Sequence, residues 1–227
     1  IGRSYPAVLW EKEETVKDLE RCGFAQVFWL FLIGALAGDI VETIFCRVTS
    51  GIWMSRSSLV WGPFSVVWGL AIALVTVLLY KDRDKQEHHI FWVGAFLGGA
   101  YEYICSVFTE ILFGKVFWDY SAMPFNLGGR INLLYCFFWG IAAVVWIKGI
   151  YPKAERLIDI ILKKTGWVLT GILLVFMAFN IFVSVLALVR YDTRADGKSA
   201  VYRWEQAMDE HFDDVKMERI YPNAIRQ

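Results

Sequence analysis

The chain has 227 residues, of which 57% are hydrophobic and 17% aromatic, and its mean hydropathy is +0.44. A soluble domain of this length needs a polar surface that most of this sequence does not supply. The composition therefore excludes a soluble globular domain and indicates an integral membrane protein. Twenty-three basic and 23 acidic residues cancel, so the charge balance points to no nucleic-acid partner.

Five apolar runs are long enough to cross a bilayer, whose hydrocarbon core of ~30 Å requires about 20 helical residues. These runs are residues 24–46, 60–80, 90–112, 131–150 and 166–189. We therefore predict an all-α membrane protein with about five transmembrane helices. Residues 1–23 would form an N-terminal segment, residues 24–189 the bundle, and residues 190–227 a polar tail with an amphipathic helix at 198–219.

Basic residues predict the orientation of these helices, because short cytoplasmic loops are enriched in lysine and arginine. They are concentrated at the N-terminus (Lys12, Lys17, Arg21), in the 81–89 loop (Lys81, Arg83, Lys85) and in the 148–165 segment (Lys148, Lys153, Arg156, Lys163, Lys164). With five helices, these three regions share one side of the membrane. The N-terminal segment is then cytoplasmic and the tail is extracytoplasmic.

An internal repeat relates residues 24–80 to residues 90–150. Residues 31–35 (FLIGA) are matched sixty positions later by residues 91–95 (FWVGA), and residues 68–71 (WGLA) by residues 139–142 (WGIA). Each copy contains two helices, so both copies insert in the same orientation, as in transporters built from parallel repeats. The first four helices are therefore predicted to be a duplicated two-helix hairpin.

Within the repeat, small and acidic residues recur every four positions and so lie on one helical face. The series are Gly34, Gly38, Glu42 and Cys46 in the first copy, and Gly94, Gly98, Glu102 and Ser106 in the second. Paired small residues allow helix backbones to approach closely, which is a sufficient explanation for the glycines alone. We expect the first and third helices to pack along these glycines and to bring Glu42 and Glu102 toward a shared interior.

Carboxylates inside a bilayer are costly unless they are paired or hydrated, so each one is a candidate for a site. Asp39 and Glu42 lie three residues apart on the first helix, and Glu102 and Glu110 lie on the third. The following loop is polar and rich in turn formers, and we expect it to fold back into the outer half of the protein. It contributes the candidates Asp119, Asn126, Arg130 and Asn132, with Arg130 as the expected counter-ion of Glu102 or Asp119.

Two interpretations of these polar residues remain open. They form either a buried cluster that fixes the fold, or a polar cavity, open to the outside, that binds a substrate head group or carries protons. Catalysis is less favoured, because His88, His89 and His211 lie in a loop and the tail, away from the carboxylates. The sequence contains neither HExxH nor a phosphate-binding loop, so no cofactor is expected. The four cysteines (Cys22, Cys46, Cys105, Cys136) suggest neither a disulfide framework nor a zinc site.

Several short motifs in the second hairpin are distinctive. They are Trp118-Asp119-Tyr120-Ser121, Pro124-Phe125-Asn126-Leu127, Gly129-Arg130-Ile131-Asn132-Leu133 and Phe138-Trp139-Gly140. In these motifs residues 28–151 resemble the CmpB-type family of ABC-transporter permeases. The resemblance implies a multi-pass protein of the bacterial plasma membrane, which acts with a separate ATP-binding subunit. Only the amphipathic 148–165 segment could receive such a subunit, and a short interfacial helix explains it equally well.

The first hypothesis is therefore a transport protein whose polar site contains Glu42, Glu102, Asp119, Asn126, Arg130 and Asn132, supported by Asp39 and Glu110. Five helices make a narrow bundle, so a homodimer or a partner subunit in the bilayer is expected. The alternatives are an intramembrane enzyme or lipid-modifying factor at the outer leaflet, and a structural or regulatory membrane protein.

Overall fold

The computed structural model describes residues 23–222 and 225–226, so nearly all of the predicted cytoplasmic segment 1–23 lies outside the described residues. The α-helices are α1 Phe24–Ser50, α2 Val66–Leu79, α3 Glu87–Phe113, α4 Leu133–Val144, α5 Tyr151–Ala195, α6 Arg203–His211 and α7 Asp214–Ile220. A 3₁₀ turn, Tyr80–Asp82, follows α2, and a π-helical segment, Val145–Ile150, joins α4 to α5. Two small antiparallel pairs join β1 Lys115–Val116 to β4 Ile225–Arg226 and β2 Asn126–Leu127 to β3 Ile131–Asn132.

The fold is that of a helical membrane protein, as predicted. Four helices of the described part of the chain are long and apolar enough to cross a membrane: Phe24–Ser50, Glu87–Leu112, Leu133–Thr165 and Trp167–Ala195. The second predicted span, residues 60–80, is shorter in the structure than predicted. Its helix, α2, begins only at Val66 and has 14 residues, which is about 21 Å at 1.5 Å per residue. The structure thus gives four spans of full length where the sequence predicted five.

The two long helices α1 and α3 end in the same way. Each is followed by a glycine with a left-handed backbone, Gly51 with φ 71° and Gly114 with φ 58°. The amide of each glycine donates to a carbonyl four residues earlier, that of Arg47 and that of Glu110 respectively. Glycine adopts this conformation at little cost, so both helices have a defined C-terminal cap.

Each long helix packs against the short helix that follows it. A Cβ atom on Gly38 would lie 2.2 Å from Cβ of Trp68, and one on Gly98 would lie 2.4 Å from Cβ of Trp139. The glycine spacing that is repeated in the two hairpins therefore reflects contacts inside each hairpin. The prediction that the first and third helices pack along Gly34, Gly38, Gly94 and Gly98 is wrong, because Gly34 faces Ile72 of α2 and Gly94 faces Ala143 of α4.

Helix α5 packs against the end of the bundle where α1 begins and α2 ends. The indole nitrogen of Trp29 donates to Thr170 (3.0 Å), and fully or nearly fully buried side chains such as Leu79 and Ile158 join the same apolar core. The first turns of α5 include the basic segment that was predicted to be amphipathic. They bury Tyr151, Ala154 and Ile158 and expose Lys153 and Arg156.

The polar tail packs on the opposite end. Arg190, which is 2% exposed, donates two hydrogen bonds of 2.8 Å to Asp209 of α6. The hydroxyl of Tyr221 donates to the carbonyl of Ser58 in the first loop (3.0 Å), and β4 pairs with β1 in the second. The amphipathic helix predicted at 198–219 is interrupted at Phe212 and Asp213, which separate α6 from α7.

Candidate functional site

The first loop returns from the end of α1 to its middle. The amide of Ser65 donates to the carbonyl of Ala35 (3.0 Å), and Trp68 packs on Gly38. Ser50, where α1 ends, is 12 residues beyond Gly38, which corresponds to about 18 Å along the helix axis. Residues 51–65 therefore run back along the C-terminal half of α1, and α2 begins near the midpoint of α1.

The second loop does the same beside α3. The hydroxyl of Tyr120 donates to Oε1 of Glu102 at 2.6 Å, and Trp139 packs on Gly98. Glu102 lies 11 residues before Phe113, where α3 ends, so this loop returns by roughly 16 Å. The expectation that the second loop folds back into the protein is confirmed.

Side chains satisfy the irregular backbone of these two returning loops. The hydroxyl of Ser57 donates to the carbonyl of Leu59 and accepts from its amide, and Ser58 accepts from the amide of Val66. In the second loop, the indole nitrogen of Trp118 donates to the carbonyl of Arg130 (3.0 Å). These contacts give hydrogen bonds to loop backbone groups that have no partner in a helix or a sheet.

Glu42 is held by one cation and one indole. Its Oε1 accepts from Nε (2.8 Å) and Nη2 (2.5 Å) of Arg56, and its Oε2 accepts from Nε1 of Trp68 (2.8 Å). Arg56 belongs to the first returning loop, and Trp68 to the first turn of α2. Both partners are therefore positioned by the return of the chain to the middle of α1.

Glu102 has an equivalent indole partner but no cation. Its Oε2 accepts from Nε1 of Trp139 (3.1 Å), and its Oε1 accepts from Tyr120. The residue is 8% exposed, and no ion pair joins it to any described residue. The donors to Glu102 are thus a phenol and an indole, both neutral, whereas the donors to Glu42 are the guanidinium of Arg56 and an indole.

The two carboxylates are brought together through their tryptophans. The rings of Trp68 and Trp139 lie 5.1 Å apart between centroids and are tilted by 37°. The hydroxyl of Tyr101 on α3 also donates to the carbonyl of Val67 on α2 (2.7 Å), which ties the hairpins together at this level. The expected convergence of Glu42 and Glu102 therefore occurs, but through α2 and α4.

Asp39 lies one helical turn before Glu42. It is 5% exposed, and its Oδ1 has no hydrogen-bond partner among the described residues. A buried, unsatisfied carboxyl oxygen is costly. Asp39 therefore lies beside Glu42 with one carboxyl oxygen that accepts no hydrogen bond from any described group.

The remaining predicted residues lie elsewhere in the second loop. Arg130 pairs with Glu110 and donates to Oγ of Ser106, so the prediction that it neutralises Glu102 or Asp119 is wrong. The reason is position along α3, since Arg130 lies beside Ser106 and Glu110, one and two helical turns beyond Glu102.

Asp119, Asn126 and Asn132 shape the loop itself. Asp119 is exposed and accepts from the hydroxyl and the amide of Ser121, which hold the pKa of Asp119 below its usual value. Asn126 bonds to the backbone at Met123 and Gly129, and Asn132 caps α4 by accepting from the amide of Leu134. None of the contacts described for these three residues is with Glu42 or Glu102.

Arg56, Trp68, Tyr120 and Trp139 hold the carboxylates, yet the sequence did not single them out as site residues. The repeated Trp-Gly at residues 68–69 and 139–140 was the available signal, since the glycine accommodates a phenylalanine of the neighbouring helix, Phe31 or Phe91. The close helix contact made by this glycine places the preceding tryptophan against a second glycine, Trp68 against Gly38 and Trp139 against Gly98.

Two further features limit what the site binds. A cavity of about 90 Å³ lies between the hairpins, but its lining is almost entirely apolar and includes Trp68, Tyr101, Trp139 and Trp146. It is therefore distinct from the polar cavity that the sequence suggested. Within the described part of the chain, no three His, Cys, Asp or Glu side chains are grouped closely enough to hold a metal ion.

The fold and this site define a helical membrane protein in which a glutamate in the second half of each long helix is bound by a tryptophan of the helix that follows. A family model described as "Putative ABC-transporter type IV" matches residues 29–185. The chain belongs to this family, as its motifs indicated. Searches of curated proteins and of solved structures found no match.

Proposed function

We propose that this chain is the membrane-embedded permease subunit of an ATP-driven transporter and that its polar site lies in the outer half of the bundle. The observation that carries the proposal is that α2 begins near the middle of α1 with Trp68 on Glu42, and that α4 places Trp139 on Glu102 of α3. The family to which the chain belongs supplies the link to ATP-driven transport.

Discontinuous helices of this kind are typical of transport sites. In many transporters, helices that begin near the middle of the bilayer line the substrate site, because their ends and the adjoining irregular backbone supply polar groups there. Here the two returning loops place Arg56 and Tyr120 beside the carboxylates of Glu42 and Glu102. A purely structural cluster would need neither loop to return so far.

The topology is part of the same proposal. We take α2 as a fifth membrane segment that crosses only part of the bilayer, and residues 24–80 and 90–150 as duplicated hairpins with parallel orientation. The N-terminal segment then faces the cytoplasm of a bacterium, and the tail lies outside its plasma membrane. Equivalent contacts at Gly38 and Gly98 support the duplication.

The cytoplasmic partner would contact the first turns of α5. These turns pack on the bundle through Tyr151, Ala154 and Ile158 and expose several basic side chains, namely Lys153, Arg156, Lys163 and Lys164. A helix that is anchored on one face and charged on the other can transmit the movement of a bound ATPase to the bundle. Without an ATP-binding partner, the narrow bundle would instead be completed by a second copy of the chain.

The test is affinity purification of the tagged chain from native membranes in mild detergent, followed by identification of bound proteins. We expect a stoichiometric ATP-binding subunit with the wild type, and its loss with the charge reversals K153E and R156E combined. The matched control is K198E with R203E, which places the same change on the tail. A partner-free oligomer in every sample would contradict the permease assignment.

If the partner is absent, the structural alternative gains support from the two paired carboxylates, Glu42 with Arg56 and Glu110 with Arg130. E102Q then distinguishes the two roles. In a transporter, E102Q abolishes substrate movement and leaves the melting temperature almost unchanged. In a structural protein, it changes the melting temperature and no transport phenotype exists.

A further inference from the structure

Four carboxyl groups in the second halves of α1 and α3 are reached by only two arginines. The carboxyl groups are Asp39, Glu42, Glu102 and Glu110, and the arginines are Arg56 and Arg130. Arg56 pairs with Glu42, and Arg130 pairs with Glu110. Asp39 and Glu102, one in each hairpin, have no ion pair with any described residue.

Burial makes a negative charge on these two groups expensive. Asp39 is 5% exposed and Glu102 is 8% exposed, and Asp39 also has an oxygen without a hydrogen-bond partner among the described residues. An isolated carboxylate in such a place takes up a proton rather than remain charged. Carboxyl groups in this condition within membrane helices are the usual components of proton pathways.

The contacts of Glu102 suit both of its protonation states. Tyr120 lies 2.6 Å from Oε1 of Glu102, and a phenol hydroxyl can donate to a carboxylate or accept from a carboxylic acid. The ring of Tyr120 stacks on Tyr135 at 4.7 Å, which holds the hydroxyl in place. The site can therefore lose or gain one proton without rearranging its heavy atoms.

We propose that Asp39 and Glu102 form a proton-binding pair whose protonation changes as the protein moves its substrate. The coupling to substrate rests on the proposed transport function, whereas the binding of protons does not. A metal ion is a poor alternative occupant, because the described residues offer no group of three metal-ligating side chains. A proton also needs no cavity, and the cavity between the hairpins includes neither carboxyl group.

The surroundings of each member are defined. Near Glu102 are Cys105 of its own helix, Tyr120 of the second loop, Cys136 of α4 and Glu42 of α1. Near Asp39 are Glu42 of its own helix and Arg56 of the first loop. Arg56 is the one cation in these two sets, and both of its bonded nitrogens contact Glu42.

Infrared spectroscopy of the full chain in liposomes tests the proposal, because a protonated carboxyl absorbs apart from a carboxylate and shifts in heavy water. As the pH is lowered from about 8 to about 6, above the ordinary range of Asp and Glu, we expect two protonated carboxyl groups to appear in the wild type. D39N and E102Q should each remove one of them, and the double variant both. Asn and Gln resemble the neutral acids in shape, so these variants should fold, which gel filtration and thermal melting verify.

E110Q is the matched control on the same helix as Glu102, and it should leave both signals in place because Glu110 is paired with Arg130. A wild type without protonated carboxyl absorption, or a signal that persists in the double variant, would overturn the proposal. The spectra need no ATP-binding partner. Failure of the affinity purification therefore removes the permease assignment and leaves the proton-binding pair to stand or fall on its own.

Discussion

The two hairpins contain equivalent glutamates that are bound by equivalent tryptophans, but only the first hairpin supplies a cation to its glutamate. In the first hairpin, Glu42 binds the guanidinium of Arg56 and the indole of Trp68. In the second, Glu102 binds the hydroxyl of Tyr120 and the indole of Trp139. The helices supply what is common, and the returning loops supply what differs.

This difference suggests that duplicated halves of a membrane protein can divide a task between them. An ion pair keeps its carboxyl group ionised, since loss of either partner leaves an uncompensated charge that is poorly solvated inside the protein. A carboxyl surrounded by neutral donors is free to change its protonation. On this view Glu42 is the fixed carboxylate of the first hairpin, and its counterpart Glu102 in the second hairpin is free to titrate.

The largest effect should come from breaking the ion pair of the first hairpin. We expect R56M to destabilise the protein by on the order of 2 kcal/mol, below the usual range for a fully buried pair because Arg56 and Glu42 are 18% and 25% exposed. The corresponding change in the second hairpin, Y120F, removes one neutral hydrogen bond and should cost about 1 kcal/mol. Thermal melting in detergent compares the two, and equal losses would refute the division between the hairpins.

Filling the glycine positions should affect both hairpins alike. G38A and G98A each place a Cβ atom less than 2.5 Å from the Cβ of a tryptophan, so each should cost roughly 1–3 kcal/mol by overpacking. G171A on α5 is the control, because a Cβ there meets nothing within 4 Å and alanine favours a helix. Melting temperatures measure all three variants. A marked difference between G38A and G98A would argue against equivalent hairpins.

Removing one indole donor should have a smaller effect. W68F and W139F keep most of the aromatic contact and lose one hydrogen bond to a carboxyl group, which corresponds to about 1 kcal/mol. If Glu102 is the titrating group, W139F alters the pH dependence of its infrared signal and W68F does not. An identical pH response in both variants would contradict the assignment of that signal to Glu102.

The helices and their polar residues could be predicted from the sequence, because apolar length and four-residue spacing act locally. The intrahairpin glycine contacts could not, since the spacing of Gly34 and Gly38 defines a face but not its neighbour. The same limit applies to the choice of partner for Arg130. The sequence predicts that Arg130 lies near carboxylates, whereas its pairing with Glu110 depends on the path of the second loop.

The length of α2 illustrates a second limit. Residues 60–80 are apolar throughout, and hydropathy alone predicts a full span. The chain is nonhelical up to Ser65 because Ser65 caps α2 by accepting from the amide of Trp68, and the amide of Ser65 itself bonds to Ala35. Part of this start is local, since Gly62-Pro63 and the capping serine Ser65 both mark a helix start, whereas the place of Ser65 beside Ala35 depends on a long-range contact.

The smallest expected effect concerns the tail, which touches both returning loops. The hydrogen bonds from Arg190 hold the pKa of Asp209 below its usual value. A lowered pKa means that this contact stabilises the tail fully above the ordinary range of aspartate, near pH 4, and loses its effect as the pH falls through the lowered value. We therefore expect limited proteolysis within residues 196–222 to accelerate below about pH 4 in the wild type, and already at neutral pH in D209N. Neither carboxylate–tryptophan pair has a described hydrogen bond to the tail, so the infrared signal of Glu102 should remain unchanged in D209N. Loss of that signal would mean that the tail, and not the loops alone, maintains the difference between the hairpins.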